Sequence, residues 1–166
     1  MIYSVFCDGS SGGNSTGAIG WGWVIMVADA KGAPKRVLLA GSGGARIGTN
    51  NIAELMAARE GLKALVTHPR FLEDVGTQEI ELVSDSQYVL GLAGGNYHAS
   101  KNALLADHVR DICLKYNIKT RWVRGHAGDP VNEMCDRLAK LGKNKYTPAK
   151  VTKRQARKAR RRKMRK

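Results

Sequence analysis

Apolar runs alternate along the chain with clusters of Gly, Ser, Asn and Pro, and the period of each run predicts its element. Ile2 to Cys7 is a continuous apolar-rich run, the pattern of a buried strand, and it ends at Asp8. Gly9 to Gly17 is rich in Gly, Ser and Asn and reads as a turn. Ala18 to Ala28, with Trp21, Trp23, Val24, Ile25 and Val27, reads as a second strand. Lys31-Gly32-Ala33-Pro34 breaks it and Arg36 to Ala40 starts a third strand, so three strands with short turns predict an antiparallel meander. The glycine-rich Gly41 to Gly48 then leads into a helix from about Asn51 to Val66, where Leu55, Ala58, Leu62 and Leu65 recur at helical spacing.

The second half alternates strand and helix patterns. Gln78 to Ser84 predicts a fourth strand, Ser86 to about Leu92 a short helix and Ala103 to Lys115 a longer one, with Gly94-Gly95-Asn96 between the two. Ile118 to Val123 predicts a fifth strand. After the loop Arg124 to Asp129, Pro130 opens a last helix that runs to Gly142. The order βββαβααβα predicts an α/β fold: a mixed five-stranded sheet, three antiparallel strands followed by two parallel ones, with helices packed on it.

Composition changes this picture mainly through charge. The 166 residues suit one domain with a proper core, and no apolar run of 18 residues exists, so no membrane-spanning helix is expected. The start of the chain enters a strand pattern with no basic leader, which predicts a protein that is not exported. Cys7, Cys113 and Cys135 lack metal-ligand spacing and read as free, buried thiols in a reducing, cytoplasmic compartment. Of the 28 Lys and Arg, 13 fall in Lys143 to Lys166, which holds no acid, leaving 15 basic and 14 acidic residues for Met1 to Gly142. The chain therefore divides into a near-neutral domain, 1–142, and a polycationic tail, 143–166. Val151 to Lys166 has almost no apolar side chains and is expected to be disordered when free.

Four carboxylates carry the candidate chemistry: Asp8, Glu54, Asp85 and Asp136. Singly, each has a plain structural reading. Asp8 and Asp85 follow apolar strands, where Asp stabilises turns or caps helices. Asn51-Ile52-Ala53-Glu54 has capping-box spacing, and Asp136 suits the solvated face of a helix. Topology brings the four together, because Asp8 and Asp85 would end neighbouring strands at the edge where open α/β sheets bind ligands. Four clustered acids repel one another unless cations neutralise them, and hard divalent cations prefer oxygen ligands.

These residues lie in motifs that closely resemble type 1 ribonuclease H. The motifs are Asp8-Gly9-Ser10 with Asn14; Thr49-Asn50-Asn51…Glu54-Leu55; Ser84-Asp85-Ser86-Gln87-Tyr88-Val89; and Trp122-Val123-Arg124-Gly125-His126-Ala127-Gly128…Asn132-Glu133…Cys135-Asp136…Leu138-Ala139. They occur in family order through about Met1 to Gly142. The resemblance implies the ribonuclease H-like fold and an endonuclease that hydrolyses the RNA strand of RNA–DNA hybrids, leaving 5′-phosphate and 3′-hydroxyl ends, as in primer removal and R-loop clearance. It implies two Mg²⁺ ions, about 3.5–4 Å apart, with Mn²⁺ as a possible substitute. Asp8 would bridge them, Asp136 would complete the ion that activates water, and Glu54 and Asp85 would hold the ion at the leaving 3′-oxygen. The matching histidine, His126, would assist proton transfer or product release, and Glu133 would tune the water-activating metal. Asn14, Asn50, Asn51 and Gln87 would contact the hybrid, where the 2′-hydroxyl tells RNA from DNA, and Thr49 would grip a phosphate of the DNA strand. Helix capping is the alternative role for Asn50 and Asn51.

One feature departs from the family pattern. Many relatives carry a basic, Trp-containing insert after the second helix that binds the DNA strand, whereas Gly94 to Asn102 is short and has Lys101 as its one cation. The tail 151–166 is the candidate replacement, gripping phosphates without reading sequence. If it neutralises about 6–10 phosphates, log K falls against log salt with a slope of roughly −5 to −9. A nuclear localisation signal is the tail's other reading. Another nuclease of the same fold superfamily, such as a junction resolvase or a transposase-like enzyme, and a noncatalytic nucleic-acid-binding protein are the rival readings of the whole chain. A monomer is the expected state. Trp21, Trp23 and Trp122 are expected to pack in the core or on the sheet face.

Overall fold

The computed structural model describes residues 1–13, 17–74 and 78–148. Its strands are β1 (Ile2–Ser11), β2 (Gly17–Ala28), β3 (Arg36–Gly48), β4 (Glu79–Ser84) and β5 (Lys119–Trp122). Its helices are α1 (Asn50–Val66), α2 (Pro69–Glu73), α3 (Gln87–Ala93), α4 (Ala103–Lys115) and α5 (Pro130–Asn144). The five strands form one sheet in the order β3-β2-β1-β4-β5. β1 pairs antiparallel with β2 and β2 with β3, while β4 runs parallel to both β1 and β5. This is the predicted α/β architecture.

The sheet separates two cores. On one side, Leu55, Ala58, Leu62 and Leu65 of α1 pack with Tyr3, Val5, Cys7, Ile25 and Leu82, and with Val109 of α4. The four α1 positions are fully buried, as the helical spacing predicts, so truncating Leu62 to Ala should cost roughly 2–5 kcal/mol. On the other side, Cys135 of α5 packs with Phe6, Val24, Met26 and Val83. All three cysteines are buried and free. Among the described residues no helix is long and apolar enough to cross a membrane.

Several elements depart from the sequence expectation. β1 does not stop at Asp8 but continues to Ser11, with Asp8 opposite Gly22 and Ser11 opposite Ile19. β3 likewise runs on through the glycine-rich stretch to Gly48. Glycine is depleted in strands on average, but here the pairing with β2 overrides local preference. α5 lies directly on this part of the sheet, and a Cβ at Gly44 would collide with the Gly142 carbonyl. α2 is absent from the predicted order: Pro69 occupies its first turn, His68 caps it, and Phe71 is buried. Five residues are too few to show a period. Trp122 is not a core residue; it is 51% exposed on the edge strand β5, while Trp21 and Trp23 are partly buried against the α1-side core.

Candidate active site

Asp8 sits where β1 passes beyond its parallel pairing with β4, which ends at Phe6 opposite Val83. The strand meets the start of α1 here at very short range. A Cβ on Gly9 would stand 2.5 Å from the Glu54 amide nitrogen, so only glycine lets Asp8 and Glu54 come this close. Asp85 follows β4 directly, and Asp136 projects from α5, which packs across β1 and β2.

The electrostatics show how these acids affect one another. Burial, followed by the charges of Asp85, Asp136 and Glu54, pushes the Asp8 carboxyl up to about 7, with the Gly9 backbone N–H acting in the opposite direction. Glu54 is also raised, by burial and then by the Asp85 charge, although hydrogen bonds from Ser86 and Asn50 oppose the shift. Four acids from β1, α1, the end of β4 and α5 thus occupy one electrostatic neighbourhood.

Three of the four are turned toward protein donors. Asn50 Nδ2 donates to Glu54 Oε1 at 2.6 Å and Ser86 Oγ to Glu54 Oε2 at 2.5 Å. Asn132 Nδ2 donates to Asp85 Oδ2 at 3.4 Å. Lys140, one helical turn beyond Asp136, pairs with its Oδ2 at 2.5 Å. Among the described residues no three His, Cys, Asp or Glu side chains stand ready-made around one point for a metal ion. The donor chemistry nevertheless fits a hard divalent cation. All four carboxylates offer oxygen, and Asp8 is burdened by the charge of the other three.

The other candidate residues surround this group unevenly. Thr49 is the N-cap of α1, its Oγ1 accepting from the Ile52 amide at 3.3 Å. Asn51 is therefore not the cap, and Glu54 takes its bond from the Asn50 side chain rather than from a capping box. Asn50, Asn51 and Gln87 are exposed in the first turns of α1 and α3. His126 lies exposed in the loop between β5 and α5, with a positive φ of 51°. Asn14 and the tail 151–166 lie outside the described residues. Sequence reasoning missed the pairing of Lys140 with Asp136, although the spacing of four residues on one helix signals it. It also missed that Trp122 Nε1 donates to the Asp85 main-chain carbonyl at 3.0 Å, for which no sequence signal exists.

Comparison with known proteins agrees with this architecture. The sheet order and flanking helices define an α/β protein of the ribonuclease H-like fold. The chain belongs to the RNase H family, whose profile, described as RNase H, matches residues 2–144. It is 36% identical over 147 residues to a ribonuclease H of Campylobacter concisus, covering 84% of this chain and 90% of the relative. A ribonuclease H of Pseudomonas entomophila is 37% identical over 151 residues, covering 83% and 90%. Among solved structures, RNase H1 of the halophilic archaeon Halobacterium salinarum superposes with a TM-score of 0.67 at 24% identity, covering 87% of this chain and 99% of that one. LC11-RNase H1, solved in complex with an RNA/DNA hybrid, superposes with a TM-score of 0.68 at 24% identity, covering 86% and 97%. At this identity the structural likenesses show the fold.

Proposed function

We propose that this protein is a type 1 ribonuclease H, a metal-dependent endonuclease that hydrolyses the RNA strand of RNA–DNA hybrids. The observation that carries the reading is Asp8: a largely buried carboxylate, raised to about 7 by burial and by Asp85, Asp136 and Glu54. Ribonuclease H relatives along most of the chain support it, as does a fold neighbour solved with a hybrid.

Asp8, Glu54, Asp85 and Asp136 would hold two divalent cations, Mg²⁺ or Mn²⁺. When bound, the pair supplies activation of a water at neutral pH and stabilisation of charge on the attacking and leaving oxygens. The residues of the chain position the reaction. Water oxygen bonds to phosphorus as the bond to the 3′-oxygen breaks, which leaves a 5′-phosphate and a 3′-hydroxyl. His126, on its exposed loop, serves the proton transfer or product release that completes the cycle.

Asn50, Asn51 and Gln87 stand exposed on helix starts beside the acids, where amides can donate to and accept from a 2′-hydroxyl. Asn50 donates to Glu54 in this structure and must exchange that bond to contact substrate. Thr49 retains a free hydroxyl proton for a DNA-strand phosphate, and Asn14 completes the amide set. The tail 151–166 grips phosphates in place of the basic insert that relatives carry. The buried free thiols fit a reducing cytoplasm, with the protein acting as a monomer.

Cleavage of labelled RNA–DNA, RNA–RNA and DNA–DNA duplexes with Mg²⁺, Mn²⁺ or EDTA tests this reading. Cutting confined to the RNA of the hybrid, dependent on metal and lost in Asp85→Asn, is the expected result. Hybrid cleavage that continues in EDTA overturns it.

A further inference from the structure

The connection from β5 to α5 encloses Asp85 with residues to which the chemistry above gives no role. Asn132 is 3% exposed in the first turn of α5, and its amide nitrogen is pinned by Asp129 Oδ1 at 3.0 Å. Its side-chain Nδ2 donates to Asp85 Oδ2 at 3.4 Å, while its Oδ1 is buried without a hydrogen-bond partner. Gly125 approaches the same Asp85 oxygen so closely that a Cβ there would stand 2.5 Å from it. Trp122 Nε1 holds the Asp85 main-chain carbonyl.

Packing alone does not account for an amide at this position. A leucine of similar size would fill the space and leave no buried oxygen unpaired, and an unpaired buried acceptor is costly. A carboxylate would repel Asp85. Asn offers an NH2 group, which donates to Asp85, at the cost of leaving its carbonyl oxygen buried and unpaired.

We infer that Asn132 is a positioning residue for the metal site: its Nδ2 donates to Asp85 Oδ2 and fixes that carboxylate against Gly125 in the orientation that would face a divalent cation. The inference rests on the reading of the four acids as metal ligands. Partners of this kind orient ligands without touching the ion, and their loss typically weakens metal binding about 10–100-fold.

The test measures Mn²⁺ binding by titration calorimetry without nucleic acid, for wild type, Asn132→Leu, Asn132→Ala and Asp85→Asn. Melting temperature in EDTA and hybrid KM and kcat accompany it. The expected result is a dissociation constant about tenfold or more higher in both Asn132 variants. The melting temperature of Asn132→Leu should be unchanged or raised, hybrid KM unchanged, and lost kcat recovered by added Mg²⁺. A purely structural role would instead lower stability and leave metal affinity alone. Mn²⁺ affinity within twofold of wild type in both Asn132 variants, with Asp85→Asn impaired, overturns this inference and leaves the underlying reading intact. Asp85→Asn that binds Mn²⁺ like wild type overturns both.

Discussion

Glu81 and Asp8 lie toward opposite ends of one face of the β1/β4 pair, and their surroundings differ completely. Ser4, opposite Glu81, shares its β1 face with Phe6 and Asp8. Ser4 Oγ donates to Glu81 Oε1 at 2.7 Å, Lys35 pairs with the same oxygen at 3.2 Å, and Arg121 Nε reaches Oε2 at 2.9 Å. Burial alone would raise Glu81, but Arg121, Ser4 and Lys35 outweigh it and hold the carboxyl down to about 2. Asp8 meets burial and three further acids and is pushed up to about 7. Phe6 and Val83 separate the two ends, with the Arg121 guanidinium 5.6 Å from the Phe6 ring centroid. One end is a closed ion cluster that stabilises the fold. The other leaves Asp8 with a charge burden that the surrounding donors offset only in part, and this is the burden that the proposed divalent cations would relieve.

The largest effect expected from this contrast comes from Asp8→Asn. Hybrid cleavage in Mg²⁺ should fall on the order of 1,000-fold or more, read in a single-turnover assay. The same variant should stabilise the metal-free protein at pH 7.5 by about 2–4 kcal/mol in urea titration with EDTA. The sign follows from the shift. Asp8 has a folded value near 7 against an ordinary 3.8, so its contribution to stability is present below pH 4 and lost as pH rises through 7. Asp8→Asn should flatten that decline.

Glu81→Gln should act in the opposite sense. Its folded value is lowered from 4.5 to about 2, so its stabilisation is present above pH 4.5 and lost as pH falls toward 2. After allowance for solvent screening of a half-exposed cluster, the loss should be about 1 kcal/mol at pH 7, with cleavage little changed. Thr49→Ala removes the α1 cap beside Glu54 and should cost about 1 kcal/mol in the same unfolding assay. Lys140→Met, measured by the Mg²⁺ concentration at half-maximal cleavage, should give the smallest change, an apparent affinity tighter by about threefold or less, because the Lys140 end of the pair it removes is exposed.

Much of the fold is legible from side-chain periodicity. Leu55, Ala58, Leu62 and Leu65 mark α1 by recurring on the face that the structure buries. The alternation of strands and helices after residue 78 likewise gives the parallel half of the sheet. Legibility fails where pairing or close packing decides the outcome. The run Gly41 to Gly48 has no strand preference of its own, yet it forms β3 because β2 templates it and α5 needs bare backbone beneath it. Gly9 to Ser11 is strand for the same reason. Trp122 shows the limit on side-chain environment: its indole faces solvent and hydrogen-bonds to the Asp85 carbonyl, a relation set by β4/β5 register rather than by local sequence.

At the site, the motifs around Asp8, Glu54, Asp85 and Asp136 are local in sequence, but their mutual charge is not. That Asp8 bears most of it depends on Gly9 pressing β1 onto α1 and on α5 crossing the sheet. Asn132 was visible only as one letter of a motif, and its split pairing, one atom on Asp85 and one without a partner, is a property of three-dimensional packing.

The central claim is that the charge burden on Asp8 is relieved by divalent cations. It is tested most directly by the melting temperature of wild type and Asp8→Asn at pH 7.5 as Mg²⁺ is titrated from zero. Binding to the folded state alone raises stability by about 2.7 kcal/mol at a hundredfold excess over the dissociation constant. Wild type should therefore start below Asp8→Asn in EDTA, rise with Mg²⁺ and close the gap, while the variant stays nearly flat. Equal starting stabilities together with parallel Mg²⁺ responses in the two proteins would contradict the account.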